Sequence, residues 1–172
     1  TGDLARPIEE LRESNVELTK RLYEEWTAFG RSAFMFPITS LDAGVPDSGY
    51  VRTKTEAANW LRSQERFGKN AFVFRFNNNA GAYRGFTELR KKEVHLIPAL
   101  FDACTNGTQF VINGNDYPTA DGTPERDFVH VLDTVDFMIY CTHLWNQGID
   151  LPEAFGDQQG IINIGTGQPV SV

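Results

Sequence analysis

Sulfur is scarce in this chain, whose 172 residues include two cysteines and two methionines. Two cysteines cannot build the disulfide framework of a small secreted domain, and Cys104 and Cys141 lie in apolar stretches without metal-ligand spacing. Both read as reduced core residues of a cytoplasmic protein, and no metal site is expected. Basic residues are also in deficit. Against 23 Asp and Glu there are 16 Lys and Arg, a net charge of -7 with no local basic run to offset it, which argues against a nucleic-acid partner. No apolar run approaches the ~20 residues of a membrane span, and no charged-then-apolar start suggests a signal peptide, so no membrane partner is expected. Internal repeats, low-complexity tracts and interdomain linkers are lacking as well. The chain opens on Thr1 and closes on Val172 just after an apolar, glycine-rich segment, and the expectation is a piece of a longer protein.

What is present suffices for a core: 41% of the residues are hydrophobic, in a length that fits one domain or one and a fraction. From Pro7 to Phe29, apolar residues at Ile8, Leu11, Leu18, Leu22 and Trp26 alternate with charges, which predicts an amphipathic helix with Pro7 in its first turn and Gly30 as its stop. The almost continuous apolar run Ala33 to Ile38 predicts a buried parallel strand. Leu41 to Gly49 reads as a loop, Tyr50 to Phe67 as a second helix closed by Gly68, and Ala71 to Phe76 as a second buried strand. Helix and strand alternating in this way imply an α/β fold, a parallel sheet with helices on both faces. After Asn77 the texture changes. A charged patch spans Glu88 to Glu93, Val94 to Cys104 reads as a helix, Thr108 to Ile112 as a strand, and Asn113 to Arg126 as a long polar loop. His130 to Trp145 is helix-like in its later part, and Gly160 to Ile164 is one more short strand.

Within Tyr50-Val51-Arg52-Thr53-Lys54 a phenol and an ammonium stand four residues apart and share one helix face. An unperturbed tyrosine, with a pKa near ~10, is a poor base at neutral pH, but a cation held beside it stabilises the phenolate. Such a pair can take a proton from a sugar or alcohol hydroxyl; the other reading of the same spacing is an exposed face that happens to carry Tyr and Lys. In open α/β sheets ligands sit beyond the carboxyl ends of the strands. Thr39 and Ser40 follow the first predicted strand and Asn77 to Asn79 follow the second, so hydroxyl, phenol and amides can converge on one crevice. Turn capping is the alternative for both groups.

The segment Gly114 to Asp133, GNDYPTADGTPERDFVHVLD, resembles across nearly its whole length a characteristic stretch of the NAD-dependent UDP-glucose (UDP-galactose) 4-epimerase family, within the extended short-chain dehydrogenase/reductases. Further matches come in the family's order: Asn15-Val16 with Thr19, Tyr50 with Lys54, Arg75-Phe76 leading to Asn78, Gly81-Ala82, His95-Leu96-Ile97-Pro98, and Asn163-Ile164-Gly165-Thr166-Gly167. The resemblance implies a partial Rossmann-like sheet, with residues 1–77 as the later part of an NAD-binding domain. Residues 78–172 would then form a smaller α/β sugar-nucleotide region whose segments return to that sheet. It implies NAD as cofactor, a UDP-sugar as substrate, and a homodimer built on two helices at the places of Pro7 to Phe29 and Tyr50 to Phe67.

Residue by residue, the resemblance makes Tyr50 the catalytic base and Lys54 its electrostatic partner and a ligand of the nicotinamide ribose. Thr39, five residues before Gly44, falls at the family's catalytic Ser/Thr, and Asn15 at the helix asparagine near the cofactor; all four are implied cofactor contacts. Asn78, His95, Leu96 and Arg126 match positions that hold the nucleotide diphosphate, for which the planar fork of an arginine is suited. Without the resemblance, Arg126 reads as a surface ion-pair partner of Glu125 or Asp127. Asn113, Val111 and Ile112 lie where the family grips the uracil and ribose, and His130 and Asp133 read as structural. Gly165-Thr166-Gly167 lacks the spacing and lysine of a phosphate loop and reads as a tight turn.

Departures also count. The glycine-rich loop that opens a dinucleotide fold is missing, so the chain alone is expected to be inactive. Ala43 replaces a usual tyrosine, and Pro37-Ile38 stand where serines are common. Sugar-nucleotide 4,6-dehydratases carry an Asp-Glu pair after the catalytic threonine; here Ser40 and Leu41 occupy those positions, which disfavours dehydration. The expected activity is C4 epimerisation of a UDP-sugar through a 4-keto intermediate. Another sugar-nucleotide epimerase or reductase of the same superfamily, or a non-catalytic nucleotide-sugar-binding or assembly protein, stands as the alternative.

Overall fold

The computed structural model of the chain describes residues 6–29, 32–40, 48–87, 95–112 and 114–172. Three parallel strands form the main sheet in the order β1-β2-β6: β1 (Phe34–Thr39), β2 (Ala71–Phe76) and β6 (Ile161–Ile164). Their register aligns Thr39, Phe76 and Ile164 in one row, so the carboxyl ends of all three strands finish together. Side chains alternate across a strand, and this splits the core in two. Phe36, Ile38, Ala71, Val73 and Ile161 face one way, and Phe72, Phe74, Ile162 and Ile164 face the other.

On the first face lie α1 (Ile8–Arg12), a π-helical turn (Glu13–Glu17), α2 (Leu18–Phe29) and α3 (Gly49–Arg62). They contribute Val16, Tyr23, Ala57, Ala58 and Leu61 to that core, and Tyr23 meets Trp26, Phe34 and Trp60 at ring separations of 5.4–5.5 Å. On the second face α5 (Val131–Asn146) and α6 (Leu151–Phe155) supply Cys141 and Leu151, with Phe137, Met138, Leu144 and Trp145 packed around them. The fold is thus the expected α/β arrangement with helices on both faces of a parallel sheet.

Two smaller ladders flank the sheet. β3 (Asn78–Ala80) pairs in parallel with β5 (Phe128–His130), and β4 (Glu125–Arg126) pairs antiparallel with β7 (Val170–Ser171). Asn78 and Asn79 are therefore ladder residues and not loop. The helix α4 (Leu96–Asn106) ends at Gly107, whose φ of 63° supplies the left-handed C-cap.

Several expectations need correction. The second helix stops at Arg62, not Phe67: Ser63 caps it, and residues 63–70 form turns in which the Gly68 amide donates to the Ala71 carbonyl. No strand forms over Thr108 to Ile112, where Thr108 to Gln109 and Val111 to Ile112 are exposed. A strand needs a partner for its backbone groups, and none pairs there among the described residues. Cys104 is exposed on α4 and only Cys141 is buried. Pro7 is the N-cap of α1 and not part of its first turn. Gly30, Leu41, Ala43, Gly44, the patch Glu88 to Glu93, Val94 and Asn113 lie outside the described residues.

Candidate functional site

The sequence places a phenol and an ammonium on α3, and the helix is aimed by its first turn. Ser48 is the N-cap, its hydroxyl accepting from the Val51 amide at 3.4 Å. Tyr50 is thus in the first turn of α3, the helix that follows β1 in chain order, and it is partly buried. One turn on, the Lys54 Nζ donates to the Pro37 carbonyl at 3.3 Å and stands 4.9 Å from the centroid of the Phe36 ring. Proline is compatible with this strand position because β1 is an edge strand among the described residues. The ammonium is thereby tethered next to the end of β1, where Thr39 closes the strand.

Below this face, Thr53 is fully buried. Its hydroxyl donates to the Gly49 carbonyl at 2.9 Å, with the Tyr50 carbonyl 3.1 Å away, and it accepts from the Asn15 Nδ2 at 2.9 Å. Asn15 sits within the π-helical turn, and its own carbonyl accepts from the Thr19 hydroxyl at 2.7 Å. Sequence reasoning singled out Asn15 but missed Thr53, because its partner lies 38 residues away.

Asp127 is the second organiser. Its carboxylate accepts from the Thr166 amide (2.9 Å) and hydroxyl (2.6 Å), from the Gly167 amide (2.9 Å) and from the Asn77 Nδ2 (3.3 Å). Its backbone carbonyl accepts from the Asn78 amide at 3.0 Å. Burial pushes the Asp127 carboxyl up, but the Thr166 hydroxyl and the Thr166 and Gly167 amides outweigh it, and the net shift is downward. One side chain therefore ties together the segment after β2, the bend after β6 and the start of β5. A Cβ added at Gly165 would collide with the Asn77 Nδ2 and the Asp127 Oδ2, so a larger residue here requires this hydrogen-bonded pair to shift. The Gly165 to Gly167 segment bends around the Asp127 carboxylate, with no backbone turn bond in it among the described residues.

Arg126, beside this node, donates from Nη1 to the Glu125 carbonyl at 2.8 Å and is partly exposed. Asn78 donates its Nδ2 toward the Asp127 carbonyl at 3.5 Å. Asn78 is thus bonded to Asp127 and Arg126 precedes it in the chain, while Lys54 is bonded to β1 two residues before Thr39. His95 is the N-cap residue of α4, followed by Leu96, while Val111 and Ile112 are exposed. His130 caps α5, its Nδ1 accepting from the Leu132 amide at 3.2 Å. A groove between α1 and α3, lined by Ile8, Arg12, Ser48, Arg52 and Glu56 among others, includes neither Tyr50 nor Lys54. Among the described residues, no group of three or more His, Cys, Asp or Glu could hold a metal ion, and no helix is long and apolar enough to cross a membrane.

Comparison with known proteins matches residues 4–165 to the family described as the NAD dependent epimerase/dehydratase family. The UDP-glucose 4-epimerase of Rhizobium leguminosarum bv. trifolii is 33% identical over 177 residues, which cover 93% of this chain and 52% of that protein. The crystal structure of UDP-glucose 4-epimerase from Brucella ovis in complex with NAD is similar with a TM-score of 0.73 and 25% identity, over 92% of this chain and 52% of that one. The corresponding enzyme from Bifidobacterium longum, solved with NAD+ and UDP, gives a TM-score of 0.75 over 99% of this chain and 54% of its own; at 22% identity that is a likeness of fold. The chain spans about half the length of the curated relatives it matches.

Proposed function

The chain belongs to the NAD dependent epimerase/dehydratase family, and from that premise we propose that its protein interconverts UDP-sugars of the UDP-glucose/UDP-galactose type at C4, through a 4-keto intermediate. The observation that carries the reading is the placement of Tyr50 and Lys54 on one face of α3, with the Lys54 ammonium tethered to the Pro37 carbonyl beside Thr39. That is the strand end where open α/β sheets receive dinucleotides.

The residues present fit the nicotinamide-ribose end of NAD by their chemistry: an ammonium and a phenol on α3 and the Thr39 hydroxyl at the end of β1, with Asn15 bonded to Thr53 of α3. A glycine-rich turn for the pyrophosphate is not among these 172 residues, so this chain by itself is inactive in our reading. When bound, NAD supplies reversible hydride acceptance. The chain's own residues handle the proton and the geometry. The Tyr50 Oη takes the proton of the C4 hydroxyl, and the Lys54 ammonium stabilises the phenolate before that transfer. The Thr39 hydroxyl orients the same sugar hydroxyl. Arg126, with Asn78, His95 and Leu96, anchors the diphosphate so that only the sugar turns, and Val111, Ile112 and Asn113 hold the uracil and ribose.

The domain reading follows: residues 1–77 serve the cofactor, and residues 78–172 serve the sugar nucleotide, with β6 returning to the main sheet. A role in galactose metabolism and a cytoplasmic setting complete the proposal, the latter supported by two unpaired thiols. A homodimer is supported by Leu18, Leu22 and Phe29, exposed on α2. Incubating the natural-length protein with UDP-galactose and NAD, then separating the sugar nucleotides, tests the activity. UDP-glucose is the expected product; a dehydrated or reduced sugar nucleotide would contradict the reading.

A further inference from the structure

We infer that Thr53 is a positioning residue for this reaction, and that the π-helical turn at Glu13–Glu17 serves to present Asn15 to it. The inference rests on the reading of Tyr50 and Lys54 given above.

Three observations lead there. First, Thr53 is 0% exposed, yet it carries a hydroxyl where valine would fill the same volume. Threonine is a mediocre helix former, and its hydroxyl competes with the helix's own hydrogen bonds. Its hydrogen goes to the carbonyls of Gly49 and Tyr50, and its lone pair accepts the Asn15 Nδ2. One oxygen thus joins the first turn of α3, including Tyr50's own backbone, to a neighbouring helix. Apolar packing is non-directional and tolerates rotation about a helix axis, whereas a hydrogen bond across the boundary fixes it.

Second, the buried residues of the Ile8–Phe29 segment are Leu11, Val16, Thr19 and Tyr23. A regular helix repeats its buried face every three or four residues, but Leu11 to Val16 is a step of five. That extra residue is the π turn. In an uninterrupted helix Asn15 would itself occupy the position one turn beyond Leu11; the insertion lets Val16 take the core site while Asn15 still faces Thr53. π turns inside helices occur frequently at functional positions.

Third, Thr53 lies between the two side chains whose relation matters, three residues after Tyr50 and one before Lys54. Misplacing a reacting group by ~1 Å can cost ~10²-fold in rate. A small rotation of α3 would move the Tyr50 phenol at the helix rim by that order while leaving its packing intact.

The test uses the natural-length protein and the UDP-galactose assay. Thr53→Val keeps the shape and removes the hydroxyl, Thr53→Ser keeps the hydroxyl, and Asn15→Leu removes the donor. Thr53→Val and Asn15→Leu are each expected to lower kcat by roughly 10–100-fold with KM little changed, and the double variant to be no worse than the poorer single one. Thr53→Ser should stay within about threefold of the parent. Full kcat in Thr53→Val, or an equal loss in Thr53→Ser and Thr53→Val, would overturn the inference, since a merely structural threonine moves melting temperature and not kcat. Tyr50→Phe separates the two levels. If it is inert while Thr53→Val is fully active, this inference alone fails; if it retains full activity, the reading of the site fails and this inference with it.

Discussion

Lys54 shows how one side chain links packing to chemistry. Its ammonium lies over the Phe36 ring and is bonded to the Pro37 carbonyl, so the charge is held in place beside β1. Replacing it by Met keeps the stem and deletes the charge. The expected result is a kcat lower by ~10²-fold, within the range for a lost acid–base partner, and a melting temperature close to that of the parent, measured by circular dichroism. The two thiols give a separate check. Burial pushes the Cys141 thiol up to about 11, whereas Cys104 is exposed on α4. A thiol reagent applied to the folded protein should therefore label Cys104 and spare Cys141, read by mass spectrometry. At this scale the sequence showed the Tyr50 and Lys54 spacing but not the fate of the cysteines. Both stand in apolar stretches, and only the neighbours across space, α6 and the sheet for Cys141, distinguish them.

Elements are held by a few residues that reach across boundaries. Leu61, 0% exposed, seats α3 on the sheet with Ala57 and Ala58. Leu61→Ala should cost about 3 kcal/mol, read from denaturant unfolding. Asp127 joins the ends of three elements, and Asp127→Ala should cost roughly 2 kcal/mol by the same measurement, since charge-assisted hydrogen bonds are lost. Its folded pKa lies below the ordinary 3.8, so the Asp127 contribution is fully present above that value and is lost as the pH falls through the lower folded one. In Asp127→Ala, stability should vary less steeply with pH in that acid window. Much of this level was legible in advance. β2 matches its expected span residue for residue because Ala71 to Phe74 form a continuous buried run. The segment Thr108 to Ile112 has a similar composition, but composition records affinity for a sheet and not the presence of a partner strand. The π turn left only a five-residue gap in the buried pattern, which a search for three- and four-residue steps passes over.

For the molecule as a whole, parallel strands finishing in one row bring three chain segments to the same end: Thr39 after β1's last apolar residue, Asn77 and Asn78 after β2, and the Gly165 to Gly167 bend after β6. Residues far apart in sequence come to one end of the sheet because parallel neighbours need connections that cross over it. In the proposed reaction the Tyr50 phenol moves the proton in C4 epimerisation. That role is tested most directly by kcat for UDP-galactose in the natural-length protein and its Tyr50→Phe variant, with NAD occupancy and circular dichroism confirming that both are intact. The expected result is a fall in kcat of ~10²–10⁴-fold; an intact variant that retained the parent's turnover would rule out that role for Tyr50.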